Sequence, residues 1–358
     1  MSTDLHLPGR LGNPDATVET DGRCDPRLVP VAIQGYAPAV EMPPADASYE
    51  DCLAYCAALE GAMDETLALQ LEAMPNFDHI DQSIETIRGT DDNDITLYIH
   101  RPKGADGPLP GLVHIHGGGM VILAAADPDS QRWRNTLAAE GLVVVGVEFR
   151  NGAGKLGPHP FPAGLNDCAA GVQWTHRNRA ALGITTLTVS GESGGGNLSL
   201  ATGLKARREG WVDQIDGIYA LCPYICGAYA DPPSELLSLV ENDTYMLDCQ
   251  EMDLLVTVYD PEREHGANPL AWPLAATASD LEGLPPHVIS VNELDPLRDE
   301  GLAFFRKLLA AGVSAVARTV HGTTHGADQG MADIIPDVHR ETVRSVVGFA
   351  KSLSGTSS

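Results

Sequence analysis

Six short runs dense in Val, Ile, Leu and Ala recur along the chain: Gly111–Ile115, Val143–Glu148, Leu187–Ser190, Gly217–Leu221, His287–Val291 and Ala315–Val320. Helical stretches are interleaved with them, at Asn166–Asn178, Asn197–Arg208, Glu300–Ala311 and Val338–Leu353. Apolar runs this short and this continuous suit strands covered on both faces better than they suit helices. Their alternation with helices predicts an α/β fold with a mostly parallel central sheet flanked by helices. Glu85–Arg88 and Thr96–His100 are expected to supply an antiparallel edge. A chain of 358 residues can hold such a core in one large domain with insertions.

Two segments fall outside that alternation. Residues before Glu85 are rich in Pro, Ala and Asp until helical patterns appear at Tyr49–Met63 and Glu65–Met74. Another excursion, from Tyr224 to Pro273, is long for a simple connection and holds helix candidates at Leu236–Val240 and Gln250–Tyr259. The expected organisation is an N-terminal cap segment over residues 1–84, a catalytic domain over 85–223 and 274–358, and a second cap insertion over 224–273. Leu237, Leu239, Met246, Met252, Leu254 and Leu255 are candidates to line a pocket, although amphipathic helices more often just cover a core.

The β-branched run Ile184–Ser190 leads directly into Gly191-Glu192-Ser193-Gly194-Gly195-Gly196-Asn197. This is a G-x-S-x-G pattern at the end of a strand, where a tight turn lifts a serine hydroxyl off the sheet and bulky neighbours would collide. By itself the pentapeptide also fits a phosphate-binding turn. Upstream, Leu112-Val113-His114-Ile115 runs into His116-Gly117-Gly118-Gly119-Met120, whose glycines leave backbone amides free to stabilise a developing oxyanion. The expected donors are the N–H groups of Gly118, Gly119 and Gly194.

Downstream, the strand pattern at Val288–Val291 breaks into an acidic turn at Asp295-Pro296-Leu297, and the next strand pattern runs into His321-Gly322-Thr323-Thr324-His325-Gly326. Ser193, Asp295 and His325 thus follow the chain order Ser, Asp, His, as in α/β-hydrolases. Ser193 is the expected nucleophile, His325 its base, and Asp295 the carboxylate that fixes the imidazole tautomer. His321 competes with His325 but sits at the strand end. Asp299 and Glu300 compete with Asp295 and read as first-turn acids complementing a helix dipole. His114 reads as a core histidine, His116 as a loop anchor, and Asp167 as a helix cap or first-turn acid.

At these residues the chain resembles the bacterial hormone-sensitive-lipase-like esterases, over roughly residues 85–352. The resemblance implies an α/β-hydrolase fold, a helical cap over the active-site mouth, and serine carboxylesterase activity on short-to-medium acyl esters. A closer likeness to one member, carried by Phe149-Arg150-Asn151, His159-Pro160-Phe161-Pro162 and Leu239–Asp243, adds a macrocyclic lactone as a candidate substrate. The chain departs from the family pattern in having Glu192 where Asp is common, Gly194 where Ala is common, and Phe149-Arg150-Asn151-Gly152 in place of Tyr-Arg-Leu-Ala. Each departure bears on the shape of the pocket.

A formal net charge of −26 disfavours nucleic acid and anionic membranes as partners. No apolar run reaches bilayer length, and the start of the chain lacks a basic region followed by an apolar stretch, so a cytoplasmic location is expected. Seven cysteines read as free thiols; the C-x₃-C pairs 52/56 and 222/226 lack partners at zinc spacing. Neither a cofactor nor a metal is expected. The expected partner is a small-molecule ester or lactone, with a homodimer as one assembly to consider. The alternatives are an amidase or peptidase with the same triad, or a non-catalytic ligand-binding protein of the same fold.

Overall fold

The computed structural model describes residues 7–34 and 40–355. Eight strands follow the chain as β1 (Ile80–Arg88), β2 (Asp94–Pro102), β3 (Leu109–Ile115), β4 (Val143–Val147), β5 (Ile184–Glu192), β6 (Gly217–Leu221), β7 (His287–Leu294) and β8 (Ala315–Thr324). They form one sheet in the order β1-β2-β4-β3-β5-β6-β7-β8. β3 to β8 run parallel, whereas β2 pairs antiparallel with both β1 and β4. The expected parallel sheet and its antiparallel edge are both present. β1 begins at Ile80, inside the segment expected to precede the catalytic domain.

Because side chains alternate across a strand, the central strands feed two cores. Val143, Val145 and Val147 face one, and Val144 faces the other. The first core is covered by helices at Ala163–Arg177 and Gly194–Glu209, and by one at Arg298–Ala310 through Phe304 and Leu308. The second is covered by helices at Pro128–Ala139, through Trp133 and Leu137, and at Pro336–Ser352, through Val343, Val346 and Val347. In chain order, the helices that matter below are α1 (Tyr49–Glu72), α2 (Pro128–Ala139), α3 (Ala163–Arg177), α4 (Gly194–Glu209), α5 (Cys249–Tyr259), α6 (Arg298–Ala310) and α7 (Pro336–Ser352).

Sequence periodicity gave no sign of α2, the crossover between β3 and β4. Few of its residues are apolar, but it opens with Asp127 at the N-cap and Pro128 in the first turn, a boundary signal independent of hydrophobicity. α1 is one helix of 24 residues rather than two, started by a capping box between Ser48 and Asp51. It packs on α5, with the Tyr55 hydroxyl donating to Glu251 at 3.0 Å.

The earliest described segment is a brace. Ala16, Val18, Cys24 and Leu28 cluster with Tyr245, Leu294, Ala327 and Ile335, and the Asp25 N–H donates to Gly322 O at 2.9 Å. Arg23 bonds Asp21, Glu241 and Asn242, tying the start of the chain to the 224–273 excursion. This region therefore stiffens the loops beyond β7 and β8, at the carboxyl ends of the parallel strands. Open α/β sheets bind ligands at those ends. No helix among the described residues is long and apolar enough to cross a membrane.

Candidate active site

β5 ends at Glu192 and α4 begins at Gly194, so Ser193 must turn the chain by itself. It does so at φ 55°, ψ −119°, a conformation that costs a non-glycine residue about 1–3 kcal/mol. Three backbone hydrogen bonds hold it there: Ser193 N–H to Leu221 O at 2.9 Å, and Asn197 N–H and Tyr224 N–H to Ser193 O at 3.0 and 3.1 Å. A Cβ at Gly195 would lie 2.0 Å from Ile115 O, so the turn closes against β3 only with glycine at that point. The Ser193 side chain is half-buried, and its hydroxyl has no hydrogen-bond partner among the described residues.

The glycine loop leaving β3 packs on this turn. Gly118, Gly119 and Met120 all have positive φ (89°, 62° and 63°), which coils the loop so that Gly118 O accepts from Val121 and Ile122 at 2.9 and 3.0 Å. The N–H groups of Gly118 and Gly119 have no acceptor among the described residues. Gly194, first in its helix, has no intrahelical acceptor either. Gly194 stands against the loop: a Cβ there would meet Met120 N at 2.5 Å and Gly119 Cα at 2.8 Å.

Glu192 fastens the loop, accepting from Gly117 N–H at 2.9 Å and pairing with His114 Nε2 at 3.0 Å. Burial works to raise its pKa, but the His114 imidazole outweighs this and holds the carboxyl below its ordinary range. His114 is fully buried, in keeping with the core histidine expected there. His116 donates from Nδ1 to Gly117 O at 2.9 Å and stacks on Phe149, with ring centroids 4.2 Å apart. Burial pushes its pKa down to about 3, so the ring is neutral. Both Glu192 and Phe149, departures from the family pattern, thus bear on the loop.

Asp295 follows β7 and is fully buried. One of its oxygens accepts from Leu297 N–H at 2.9 Å, and the other accepts from His325 Nδ1 at 2.8 Å. Burial alone would lower the His325 pKa. The Asp295 carboxylate and the neighbouring Cys222 overcome this and raise it well above the ordinary imidazole range. His321 points elsewhere: its side chain is 76% exposed and pairs with Glu293 at 3.1 Å.

Asp299 and Glu300 do lie in the first turn of α6, but they grip the 224–273 excursion instead of standing in solvent. Asp299 accepts from Ser238 N–H at 2.8 Å; Glu300 accepts from Ile225 N–H at 2.6 Å and the Tyr229 hydroxyl at 3.1 Å. Asp167 lies within α3 and accepts from Arg150 and Asn93.

Three contributors escaped sequence reading. Asn292 donates to Thr323 and Asp328 at 2.7 and 2.8 Å and accepts from Gly326 N–H at 3.2 Å, which fixes the loop carrying His325. Asn242 donates to the carbonyls of Glu293 and Asp295, both at 3.1 Å. Cys222 lies against His325. A polar residue inside an apolar strand pattern was a usable signal for Asn292; neither the C-x₃-C spacing of Cys222 nor the Leu239–Asp243 stretch that holds Asn242 pointed to these contacts.

Of the pocket candidates, Leu239, Met252 and Leu254 are buried, whereas Leu237 and Met246 are exposed. Leu255 reaches the loop, its Cδ1 lying 2.8 Å from where a Gly119 Cβ would stand. A family described as alpha/beta hydrolase fold matches residues 112–329, which span the glycine loop, the serine turn and the Asp295–His325 pair. The chain belongs to the α/β-hydrolases. This hydrolase is 32% identical over 265 residues to carboxylesterase NlhH of Mycobacterium tuberculosis, covering 73% of this chain and 79% of the relative. Its fold matches the solved structure of brefeldin A esterase, a bacterial homologue of human hormone-sensitive lipase, with TM-score 0.91 and 45% identity over 97% of this chain and 99% of that one. The structure of esterase Est22 matches with TM-score 0.85 and 38% identity, covering 94% and 99%. The chain is a carboxylic ester hydrolase of the hormone-sensitive-lipase-like group.

Proposed function

We propose that Ser193, His325 and Asp295 form the catalytic triad of a serine carboxylesterase acting on short-to-medium acyl esters or a macrocyclic lactone. The observation that carries this reading is the 2.8 Å bond from His325 Nδ1 to a buried Asp295, at the same end of the sheet as a serine held at positive φ. With Nδ1 donating to Asp295, the Nε2 lone pair is free to take the Ser193 proton. Hydroxyl–imidazole contacts in unliganded hydrolases are commonly long and tighten with substrate.

Ser193 Oγ attacks the acyl carbonyl as His325 takes its proton, and the carbonyl oxygen becomes an oxyanion. The N–H groups of Gly118, Gly119 and Gly194 stabilise that charge. His325 then protonates the departing alkoxide, leaving an acyl-enzyme. Water, deprotonated by His325, attacks the acyl-enzyme, and the proton returns to Ser193 as the acid leaves. For a lactone, both products are ends of one hydroxy acid.

α1 and α5 together serve as the cap over the mouth, and Leu255, beside Gly119, supplies an apolar wall. The name of brefeldin A esterase makes brefeldin A the lactone to try first. The deciding experiment is hydrolysis of p-nitrophenyl esters from acetyl to decanoyl, with brefeldin A and p-nitroanilides alongside, by wild type and Ser193→Ala. Ester turnover that vanishes in the variant supports the triad. Undiminished turnover removes Ser193 from the mechanism, and faster anilide than ester cleavage would favour an amidase.

A further inference from the structure

The mechanism above leaves one buried nucleophile beside the base without a task. Cys222 follows β6 at φ 34°, and its N–H donates to Ser290 O at 2.7 Å. Cys222 Sγ, an Asp295 carboxylate oxygen and a His325 ring nitrogen all lie within 4.8 Å of one another, and all three residues are buried. The C-x₃-C spacing plays no part in this, because the Cys226 thiol is directed to Ala228 O instead.

Sulfur, nitrogen and oxygen in one cluster make a donor set for a borderline or soft cation. Zinc takes thiolate at about 2.3 Å and imidazole or carboxylate at about 2.0–2.2 Å, so ligand atoms around a tetrahedral ion stand about 3.5 Å apart. The three donor atoms, all within 4.8 Å of one another, stand near that spacing. Three protein ligands leave a fourth position for water. Thiolate selects Zn²⁺ or Cd²⁺ over Mg²⁺ and Ca²⁺, which prefer oxygen. The net charge of −26 raises the concentration of cations near the surface.

We propose that Cys222, Asp295 and His325 form an inhibitory site for Zn²⁺ or Cd²⁺. The ion displaces the Cys222 thiol proton to solvent and the His325 Nδ1 proton to Nε2, and bonds Cys222 Sγ, His325 Nδ1 and an Asp295 oxygen. The imidazole is then tied to the metal and no longer accepts the Ser193 proton, so hydrolysis stops until the ion is removed. The inhibition rests on the triad reading, whereas binding of the metal does not.

Two measurements separate the ideas. Co²⁺ titrated into Ser193→Ala protein should give a thiolate-to-cobalt charge-transfer band at one ion per chain, displaced by Zn²⁺ and absent when Cys222→Ser is added. A band that survives in the double variant assigns the metal to another cysteine and overturns the site. In parallel, p-nitrophenyl butyrate hydrolysis is titrated with Cd²⁺, each protein being normalised to its own metal-free rate. Wild type should be inhibited reversibly by chelator, and Cys222→Ser should need more than about tenfold higher Cd²⁺. Equal sensitivity of the two proteins, or an active wild type indifferent to Cd²⁺, rejects the inhibitory site and leaves the triad standing. Activity that persists in both Ser193→Ala and His325→Ala rejects the triad, while the cobalt band still judges the metal site. Should Cys222→Ser misfold by circular dichroism, Cys222→Ala serves in its place.

Discussion

Asp295–His325 and Glu192–His114 are the same chemical pair, a carboxylate 2.8 Å from an imidazole nitrogen in one case and 3.0 Å in the other. They differ in where the imidazole is mounted. His114 sits inside β3, its neighbours are core, and its carboxylate spends the other oxygen on the glycine loop. His325 sits on a loop beyond β8, beside Cys222 and at the sheet end that carries Ser193. The charge balance differs too: at Glu192 the shift favours the carboxylate, whereas at His325 it favours the imidazolium. A carboxylate–imidazole contact is therefore no signature of catalysis; in the proposed mechanism, what separates the two is that His325 serves Ser193 and His114 serves no nucleophile.

The largest expected effect tests that distinction directly. Asp295→Asn should lower kcat about 10⁴-fold, the scale seen when a triad carboxylate is lost, while Glu192→Gln, which still accepts from Gly117, should cost about tenfold through the oxyanion amides. Steady-state kinetics on a p-nitrophenyl ester reads both, and a greater loss at 192 than at 295 would break the comparison. Next comes pH. The proposed base, His325, would work only when neutral, and its pKa is raised, so kcat/KM should fall with decreasing pH through a midpoint above the ordinary imidazole value of 6.5. In Asp295→Asn the carboxylate that raises it is gone, so the residual activity should titrate at lower pH; an unmoved midpoint would mean that another group controls it.

Glu300 sharpens the comparison as a buried acid with no imidazole facing it. Burial raises its pKa from the ordinary 4.5 to about 8. The folded state thus holds this proton more tightly than the unfolded chain, and the stabilisation is complete below 4.5 and lost as pH rises to about 8. Glu300→Gln should flatten the fall of Tm across that window by several degrees, with little change in kcat. A Tm profile identical to wild type would show that Glu300 is ionised throughout. The smallest effect is expected at His321, paired with Glu293 at the surface: His321→Ala should change kcat/KM less than about twofold, since exposed pairs contribute about 0–1 kcal/mol.

The sheet was legible from sequence because buried parallel strands write themselves as unbroken apolar runs; Gly217–Leu221 matches its strand to the residue. α2 was not, since its buried face at 130, 133, 134, 137 and 138 includes Ser130 and Arg134, polar residues that break the apolar pattern. The candidate site was legible where backbone geometry demands glycine, at 117–119 and 194–196, and where loops follow strands. The supporting polar residues were hidden because Asn242, Asn292 and Cys222 matter only through contacts across distant parts of the chain. Glu192 and Phe149 were visible as departures, but that both serve the glycine loop follows only from how β3, β4 and β5 stand side by side.

The close approach of Gly194 to the backbone of Gly119 and Met120 also constrains how this enzyme can change. An alanine methyl here would stand 2.5 Å from Met120 N, against main chain that cannot swing aside like the end of a side chain. An engineer placing alanine at 194 would have to reshape the loop in the same step. Residue 194 and the backbone of residues 119–120 are thus one unit for redesign, to be changed together or left alone.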